Sequence, residues 1–255
     1  MKCDYNLLIW HFYLTLNMNL AIDAGNTFIK AGFFESGKLV KKLVLNPSEK
    51  LDFLEENYQP KHVIFSSVSK EPSEAFTARF KNILLLTYKT PVPVSNVYET
   101  PETLGMDRLA EVVGAKVLFP ADACLVIAAG TAITYDFIDA ANNYYGGGIS
   151  PGISMRFKAL HTFTQKLPLV EQQESFELIG RTTHDAIRSG VLNGVLAEAE
   201  GIINRYKTLN PELKTIICGG DVSFFESKIK EPIFAVSDLA LIGLNRILEY
   251  NVSGN

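Results

Sequence analysis

Two segments of the chain share one pattern of apolar and polar positions. In each, a short apolar run leads into a turn that contains glycine, and two further strand-like runs follow, at 20–22, 28–34 and 39–45 in the first segment and at 125–127, 133–138 and 144–149 in the second. Short apolar runs bounded by turn residues are typical of strands. The pattern therefore predicts two halves built on one plan.

The remaining periodicity predicts helices and a few further strands. Apolar residues spaced by three or four positions indicate helices at 51–54, 72–80, 103–117, 151–163, 183–206 and 237–250. Four short apolar runs indicate strands at 63–65, 83–86, 215–218 and near 233. Each half then has three strands, a helix, a strand and a further helix, which predicts a duplicated mixed α/β fold. Phe119 and Pro120 mark the predicted boundary between lobes 18–118 and 119–255.

Composition narrows the class of protein. The chain has 255 residues, of which 47% are apolar, and a net charge of −4 without a long basic run, which argues against nucleic-acid binding. Its three scattered cysteines indicate free thiols in a reducing cytosol. The apolar run within residues 1–17 is too short to span a bilayer. We expect residues 1–17 to be an extension upstream of the true start at Met18.

Several polar residues at the turns suit phosphate chemistry. The first turn carries Asp23, Gly25, Asn26 and Thr27, with Lys30 in the next strand. Glycine lets backbone N–H groups approach a phosphate closely. Asp23 ends an apolar strand, where it either forms an Asx-turn or contacts phosphate and metal. Neither a P-loop nor a Rossmann glycine pattern occurs.

A second set of candidates surrounds the start of the helix at 103–117. Asp107 there either interacts with the helix dipole or activates a hydroxyl, beside an Arg108 that holds phosphate. Tyr98, in the preceding proline-rich loop, is either a packing residue or a ligand contact. Thr183 reads as a helix cap. Gly219 and Gly220 form either a tight turn or a flat backbone surface for a purine.

Four motifs in order resemble those of type III pantothenate kinases. They are Asp-x-Gly-Asn-Thr at 23–27, Gly-x-Asp-Arg at 105–108, Gly-Thr-Ala-x-Thr-x-Asp at 130–136 and Gly-Gly-x-Ile-x-Pro-Gly ending at Gly152. Each motif alone is weak, but the ordered set is specific. The resemblance extends from Met18 to about Glu249.

The resemblance implies a fold, a reaction and a set of residue roles. It implies the acetate and sugar kinase, heat-shock and actin superfamily fold, with ATP between two ribonuclease-H-like lobes, and the phosphorylation of pantothenate to 4'-phosphopantothenate, which opens coenzyme A synthesis. Asp107 would be the base, and the pantothenate site would include Tyr98, Gly105, Met106, Arg108 and, from across a homodimer interface, Thr183. ATP contacts would come from residues 23–30 and Thr131, with Asp23 near Mg²⁺.

One position departs from the family pattern. The aspartate that helps the family to bind a monovalent cation, K⁺ or NH₄⁺, is Ala128 in this chain. Either carbonyls and a neighbouring group hold the cation, or the cation is dispensed with, or activity is reduced. Two other functions stay open: a non-catalytic ligand-binding regulator, as in the Bvg accessory factor relatives, and a kinase of another small hydroxyl substrate.

Overall fold

The computed structural model describes residues 18–25, 27–46, 59–67, 72, 74–80 and 82–253. Their elements, in chain order, are β1 (Asn19–Ala24), β2 (Ile29–Glu35), β3 (Lys38–Leu45), β4 (His62–Ser67), α1 (Glu74–Arg79), β5 (Ile83–Leu85), β6 (Ser95–Asn96), a 3₁₀ turn (Pro101–Thr103), α2 (Met106–Leu118), β7 (Cys124–Ala129), β8 (Ala132–Ile138), β9 (Asn143–Pro151), α3 (Ile153–Thr162), α4 (Thr183–Leu209), β10 (Lys214–Cys218), α5 (Val222–Glu226), β11 (Phe234–Ala235) and α6 (Leu239–Val252). The expected helix at 51–54 and the expected extension at 1–17 lie outside the described residues.

The chain divides into two compact units, each with its own sheet. Unit 1 holds the described residues up to Leu118 and those from Leu239 onward, and unit 2 runs from Phe119 to Asp238. In unit 1 the strands lie in the order β3-β2-β1-β4-β5, with β1, β2 and β3 antiparallel and β4 and β5 parallel to β1. In unit 2 the order β9-β8-β7-β10-β11 has the same pattern of directions. The duplicated mixed α/β fold is therefore confirmed, with the strand arrangement of a ribonuclease-H-like sheet in both units.

One face of each sheet is covered by apolar side chains from its own unit. In unit 1, Leu20 and Ile22 of β1 pack with Phe65 of β4 and Phe76 of α1, whose ring centroids lie 5.8 Å apart. In unit 2, alternate residues of β7, β8 and β10 pack against α3, α4 and α5. The alternation of strand side chains places one set in these cores and leaves the other set on the opposite face.

Helix α6 is where the observed division differs from the expected one, because it belongs to unit 1 and not to residues 119–255. It packs against α2 at two glycines: a Cβ added to Gly114 would collide with the Leu239 carbonyl, and one added to Gly243 would collide with the Ala110 carbonyl. Asn245 of α6 also accepts a hydrogen bond from Asn19 Nδ2 of β1 at 3.2 Å. The periodicity of α6 predicts a buried face but does not identify the partner of that face.

Two local expectations are corrected by the structure. Pro151 is the last residue of β9 and not part of the first helical turn, since α3 begins at Ile153 after Gly152. The N-cap of α4 is Thr182, whose Oγ1 accepts a hydrogen bond from Asp185 N at 3.1 Å, so Thr183 is the first helical residue and not the cap. Within the described part of the chain, no helix has both the length and the apolar character that a membrane crossing requires.

Candidate active site

In unit 1, a polar row crosses three neighbouring strands at the carboxyl end of β1. Asp23 is the Cα partner of Lys30 in β2 and of Ser66 in β4. Partnered residues of adjacent strands point to the same face of a sheet, so the three side chains share one face. This face is opposite to that of Leu20 and Ile22, which lie in the core with α1.

The Asp23 carboxyl lies in an unusual electrostatic environment. Burial and the neighbouring Asp107 carboxylate raise the pKa of Asp23 from 3.8 to about 6, while Lys30 acts in the opposite direction. A cation beside a buried carboxyl whose ionisation is disfavoured in this way would stabilise its charged form. The structure thus brings Asp23, Lys30 and Asp107 close enough to interact electrostatically.

The first turn of α2 holds the Asp107 carboxylate in one orientation. Arg108 N donates a hydrogen bond to Asp107 Oδ1 at 2.9 Å. A Cβ on Gly105 would collide with the same oxygen, so glycine at 105 leaves room for the carboxylate to fold back over the backbone. Met106, the first residue of α2, lies between Gly105 and Asp107 in the sequence.

Arg108 and Tyr98 form the other part of this cluster. Only 6% of the Arg108 surface is exposed, and its guanidinium carbon lies 5.7 Å from the centre of the Tyr98 ring. Tyr98 N in turn donates to Asn96 Oδ1 at 3.1 Å, which fixes the loop before α2. A buried arginine stacked on a tyrosine is a rigid cation, suited to an anionic ligand group.

The turn after β1 is closed by a backbone hydrogen bond. Gly25 N donates to Phe28 O at 3.1 Å, and Thr27 is exposed at the tip of this turn. Asn26, which the motif places between them, lies outside the described residues.

In unit 2, two turns and a helix start come together. Gly130 N donates to Ala132 O at 3.0 Å in the β7–β8 turn, where Thr131 is exposed. Gly152 N, at the start of α3, donates to Thr131 O at 3.1 Å, and a Cβ on Gly152 would collide with the Gly130 carbonyl. The helix start thus lies directly against the glycine turn.

The Gly219–Gly220 turn lies against the end of β7. Gly219 has φ of +99°, and a Cβ there would collide with the Ala129 carbonyl, so glycine is required on both counts. Gly220 is exposed, and Asp221 N donates to Ala129 O at 3.0 Å. Burial raises the pKa of Asp221. Asp221 is a polar residue near the expected purine surface that the sequence patterns did not select.

Ala128 takes the place in unit 2 that Asp23 takes in unit 1. Its Cα partners are Thr134 in β8 and Cys218 in β10, so the row that is Lys30–Asp23–Ser66 in unit 1 is Thr134–Ala128–Cys218 here. Thr134 Oγ1 is buried and has no hydrogen-bond partner in the described part of the chain. Ala128, its strand partner, has no polar side-chain atom that could accept from this hydroxyl.

Thr183 is exposed in the first turn of α4, in unit 2. Among the described residues of that unit, no hydrogen bond or ion pair joins it to Thr131, Gly219 or Gly220. The role of Thr183 as a substrate contact stays a prediction.

Comparison with known proteins decides the family. The family model of type III pantothenate kinases matches residues 19–205. The chain belongs to this family. A type III pantothenate kinase of Cytophaga hutchinsonii is 44% identical over 237 residues, which cover 92% of this chain and all of the relative. One of Phocaeicola vulgatus is 46% identical over 240 residues and covers 92% of this chain and 99% of the relative.

Solved structures agree on the fold. A Baf family protein from Campylobacter jejuni has a TM-score of 0.60 at 23% identity, covering 92% of this chain and 99% of that structure. An activator of 2-hydroxyisocaproyl-CoA dehydratase from Clostridium difficile, solved with bound ADPNP, has a TM-score of 0.51 at 13% identity, with 93% and 97% covered. At these identities the likeness shows the fold alone. The chain is thus a type III pantothenate kinase family member with the two-lobed kinase fold.

Ser66 is the residue of the unit 1 cluster that the motifs missed. It is 1% exposed, and its Oγ has no hydrogen-bond partner within the described residues. No sequence signal marks it, because a serine at the end of a buried strand becomes informative only once the register with Asp23 is known.

Proposed function

We propose that the chain catalyses the ATP-dependent phosphorylation of pantothenate to 4'-phosphopantothenate, the first step of coenzyme A synthesis. The observation that carries this proposal is the cluster at the start of α2, where Asp107 lies beside the stacked Arg108 and Tyr98 and within electrostatic range of Asp23. Family membership supports the substrate and the reaction class. No specific observation favours a non-catalytic regulator.

Asp107 is the proposed general base. The terminal hydroxyl oxygen of pantothenate forms a bond to the γ-phosphorus while the bond from that phosphorus to the β,γ-bridging oxygen breaks, and ADP leaves. The hydroxyl proton passes to the Asp107 carboxylate. Arg108, held on Tyr98, stabilises negative charge, and Gly105 and Met106 shape the pantothenate site. Such a reaction depends mainly on positioning and charge neutralisation.

Mg²⁺ fits the cluster around Asp23. The described residues include no group of three or more His, Cys, Asp or Glu that could hold a metal ion, so the ion would take most of its ligands from phosphates and water. Burial and the neighbouring Asp107 carboxylate raise the pKa of Asp23 more than Lys30 lowers it, so a further positive charge there would stabilise the ionised carboxylate. When bound, Mg²⁺ neutralises charge on the ATP phosphates, and Asp23 would hold it through water or phosphate.

ATP contacts are proposed in each unit. In unit 1 they are Asp23, Gly25, Asn26, Thr27 and Lys30, where the exposed Thr27 at the tip of the turn and the lysine ammonium suit phosphate oxygens. In unit 2 they are Thr131, exposed beside the start of α3, and Gly219 and Gly220, whose bare backbone suits the flat face of a purine.

The variant D107N tests the reaction. We expect its kcat for pantothenate-dependent ADP release to fall roughly 100-fold or more, the usual contribution of a general base. The melting temperature should stay near that of the wild type, because an amide oxygen still accepts the hydrogen bond from Arg108 N. The matched control D122N, on the surface of unit 2, should keep full turnover. Wild-type turnover in D107N would remove Asp107 from this role.

Weakened dependence on K⁺ or NH₄⁺ is proposed from Ala128. An aspartate there would face Thr134 Oγ1, a buried hydroxyl without a partner among the described residues, and would supply the charge that a monovalent cation needs. We expect wild-type activity to rise less than about threefold with K⁺, and A128D to acquire a steep rise, since the added carboxylate attracts the cation electrostatically. A steep rise already in the wild type, unchanged in A128D, would contradict this proposal.

A homodimer in the cytoplasm is the proposed form of the protein. The segment 171–182 of unit 2 exposes Leu178 and Ile179, each at 76%, close in sequence to the exposed Thr183. Apolar residues held outward beside a predicted substrate residue support an interface through which Thr183 of one chain contacts pantothenate bound to the other.

A further inference from the structure

Three hydroxyl oxygens in the described part of the chain are buried without a hydrogen-bond partner, those of Ser66, Thr134 and Thr215. An unsatisfied buried hydroxyl costs free energy, and natural proteins retain few of them. Thr215, in β10, is the Cα partner of Leu125, on the face that packs against α4. Ser66 differs because its strand partner is a carboxylate of the candidate active site.

The position of Ser66 is set by strand pairing and not by a flexible loop. It is the Cα partner of Asp23 in a parallel pair, and neighbouring strands are about 4.8 Å apart. Its side chain therefore lies on the face that carries Asp23 and Lys30, next to the carboxylate that Asp107 influences. At 1% exposure, water does not satisfy this hydroxyl from bulk solvent.

We infer that Ser66 is a positioning residue of the phosphate and metal site, whose hydroxyl donates to the Asp23 carboxylate and orients it when nucleotide and Mg²⁺ are bound. Asp23 is a pure acceptor once ionised, and besides Lys30 the Ser66 hydroxyl is the side-chain donor in its row. A donor that holds a carboxylate in one rotamer orients it toward a bound metal ion, which raises the affinity of the site for that ion. The Ser66 hydroxyl, which has no hydrogen-bond partner among the described residues, thus gains the Asp23 carboxylate as its acceptor when nucleotide and Mg²⁺ bind.

The corresponding row of unit 2 supports this assignment. In that row, Ala128 takes the position of the Asp23 carboxylate, and Cys218 takes the position of Ser66. At the position of the parallel partner strand, the hydroxyl is therefore found in the row that keeps the carboxylate, and a thiol is found in the row that lacks it. A thiol is a weak donor of similar size.

The inference rests on the proposed function, and S66A tests it through nucleotide binding. We titrate the full chain with the non-hydrolysable ATP analogue ADPNP plus Mg²⁺ in a calorimeter, without pantothenate. S66A should bind about 10- to 100-fold more weakly, the usual effect of losing a group that orients a metal-site ligand. S66C should fall between S66A and the wild type. The KM for pantothenate should change less than twofold in both variants.

Thermal unfolding without nucleotide or metal separates positioning from structure. Removing an unsatisfied buried hydroxyl should leave the melting temperature of S66A equal to or above that of the wild type. T215V, which removes the other unsatisfied strand hydroxyl, should show the same thermal behaviour but wild-type nucleotide binding. A lower melting temperature of S66A, or failure of S66A to fold, would overturn the inference in favour of a structural role.

Unchanged ADPNP affinity in S66A would also overturn the inference. This result is distinct from failure of the proposed function, which would appear as a wild-type chain that binds ADPNP but does not phosphorylate pantothenate.

Discussion

At the residue scale, Asp23 is a carboxyl group whose surroundings disfavour its ionised form. Asp23 has a pKa of about 6 against an ordinary 3.8, because it is buried and lies near Asp107. A carboxyl with a raised pKa in the folded state stabilises the fold fully below about pH 4, and this contribution is lost as the pH rises through 6. The ligand-free protein therefore carries an electrostatic cost at neutral pH that bound Mg²⁺ and nucleotide would offset.

The pH dependence of stability tests this cost. D23N cannot ionise, so its free energy of unfolding should gain on that of the wild type as the pH rises from 4 to 7, by about 3 kcal/mol at most. Urea unfolding of both proteins in EDTA at several pH values measures the difference. A difference that stays constant across this range would show that Asp23 titrates normally.

Candidate site residues that lie within one short motif could be predicted from the sequence. Those that reach the site through the pairing register of two strands could not. Asp107 and Arg108 follow each other in the chain, and the structure brings Tyr98 to Arg108 as a nearby loop allows. Ser66 depends on the pairing of β4 with β1, which no local pattern encodes. The N-cap of α4 is Thr182 and not Thr183. Because the two adjacent threonines have the same side chain, only the backbone geometry shows which of them is the cap.

At the element scale, the segment before α4 is held in place by its own backbone. Ser189 Oγ donates to Leu178 O at 2.6 Å, and Asn193 Nδ2 donates to Glu177 O at 3.3 Å. Gly180 lies so close to the start of α4 that a Cβ would collide with the backbone of Ala186. With its carbonyls held on the helix, the segment presents Leu178 and Ile179 outward, and a fixed apolar pair of this kind suits a protein contact.

Light scattering tests whether this contact is a second copy of the chain. The wild type should have the mass of two chains, and the double variant L178S/I179S should shift to the mass of one, because the substitution removes the apolar contact. L209S changes a leucine that is equally exposed, at the other end of α4, and should stay dimeric. A wild type with the mass of one chain would contradict the interface.

Element type was easier to predict than element partnership. Short apolar runs predicted every described strand except the two-residue β6, which lies in the proline-rich loop before α2, since burial on a sheet leaves a clear local pattern. Helix α6 was predicted as a helix, but its packing on α2 depends on Gly114 and Gly243, whose close approach is visible only in three dimensions. Pro151 shows the same limit, because proline is tolerated both at a helix start and at a strand end.

At the scale of the whole molecule, one strand order is used twice with different chemistry. Both sheets follow the same order and directions, yet the central row carries Lys30, Asp23 and Ser66 in unit 1 and Thr134, Ala128 and Cys218 in unit 2. The fold accounts for where the rows lie, and the side chains decide what each row can bind. In the proposed function, unit 1 therefore supplies the base and the metal ligand, while each unit contributes a glycine turn to the ATP contacts.

Direct detection of the product tests the central claim. The purified wild-type chain is incubated with ATP, Mg²⁺ and pantothenate, and in parallel with pantetheine and a panel of polyols, while ADP and phosphorylated product are quantified by mass spectrometry. We predict one 4'-phosphopantothenate per ADP with pantothenate, and at least tenfold less of both when pantothenate is absent or D107N replaces the wild type. ADP release that is independent of pantothenate, or a preference for another hydroxyl substrate, would contradict the account.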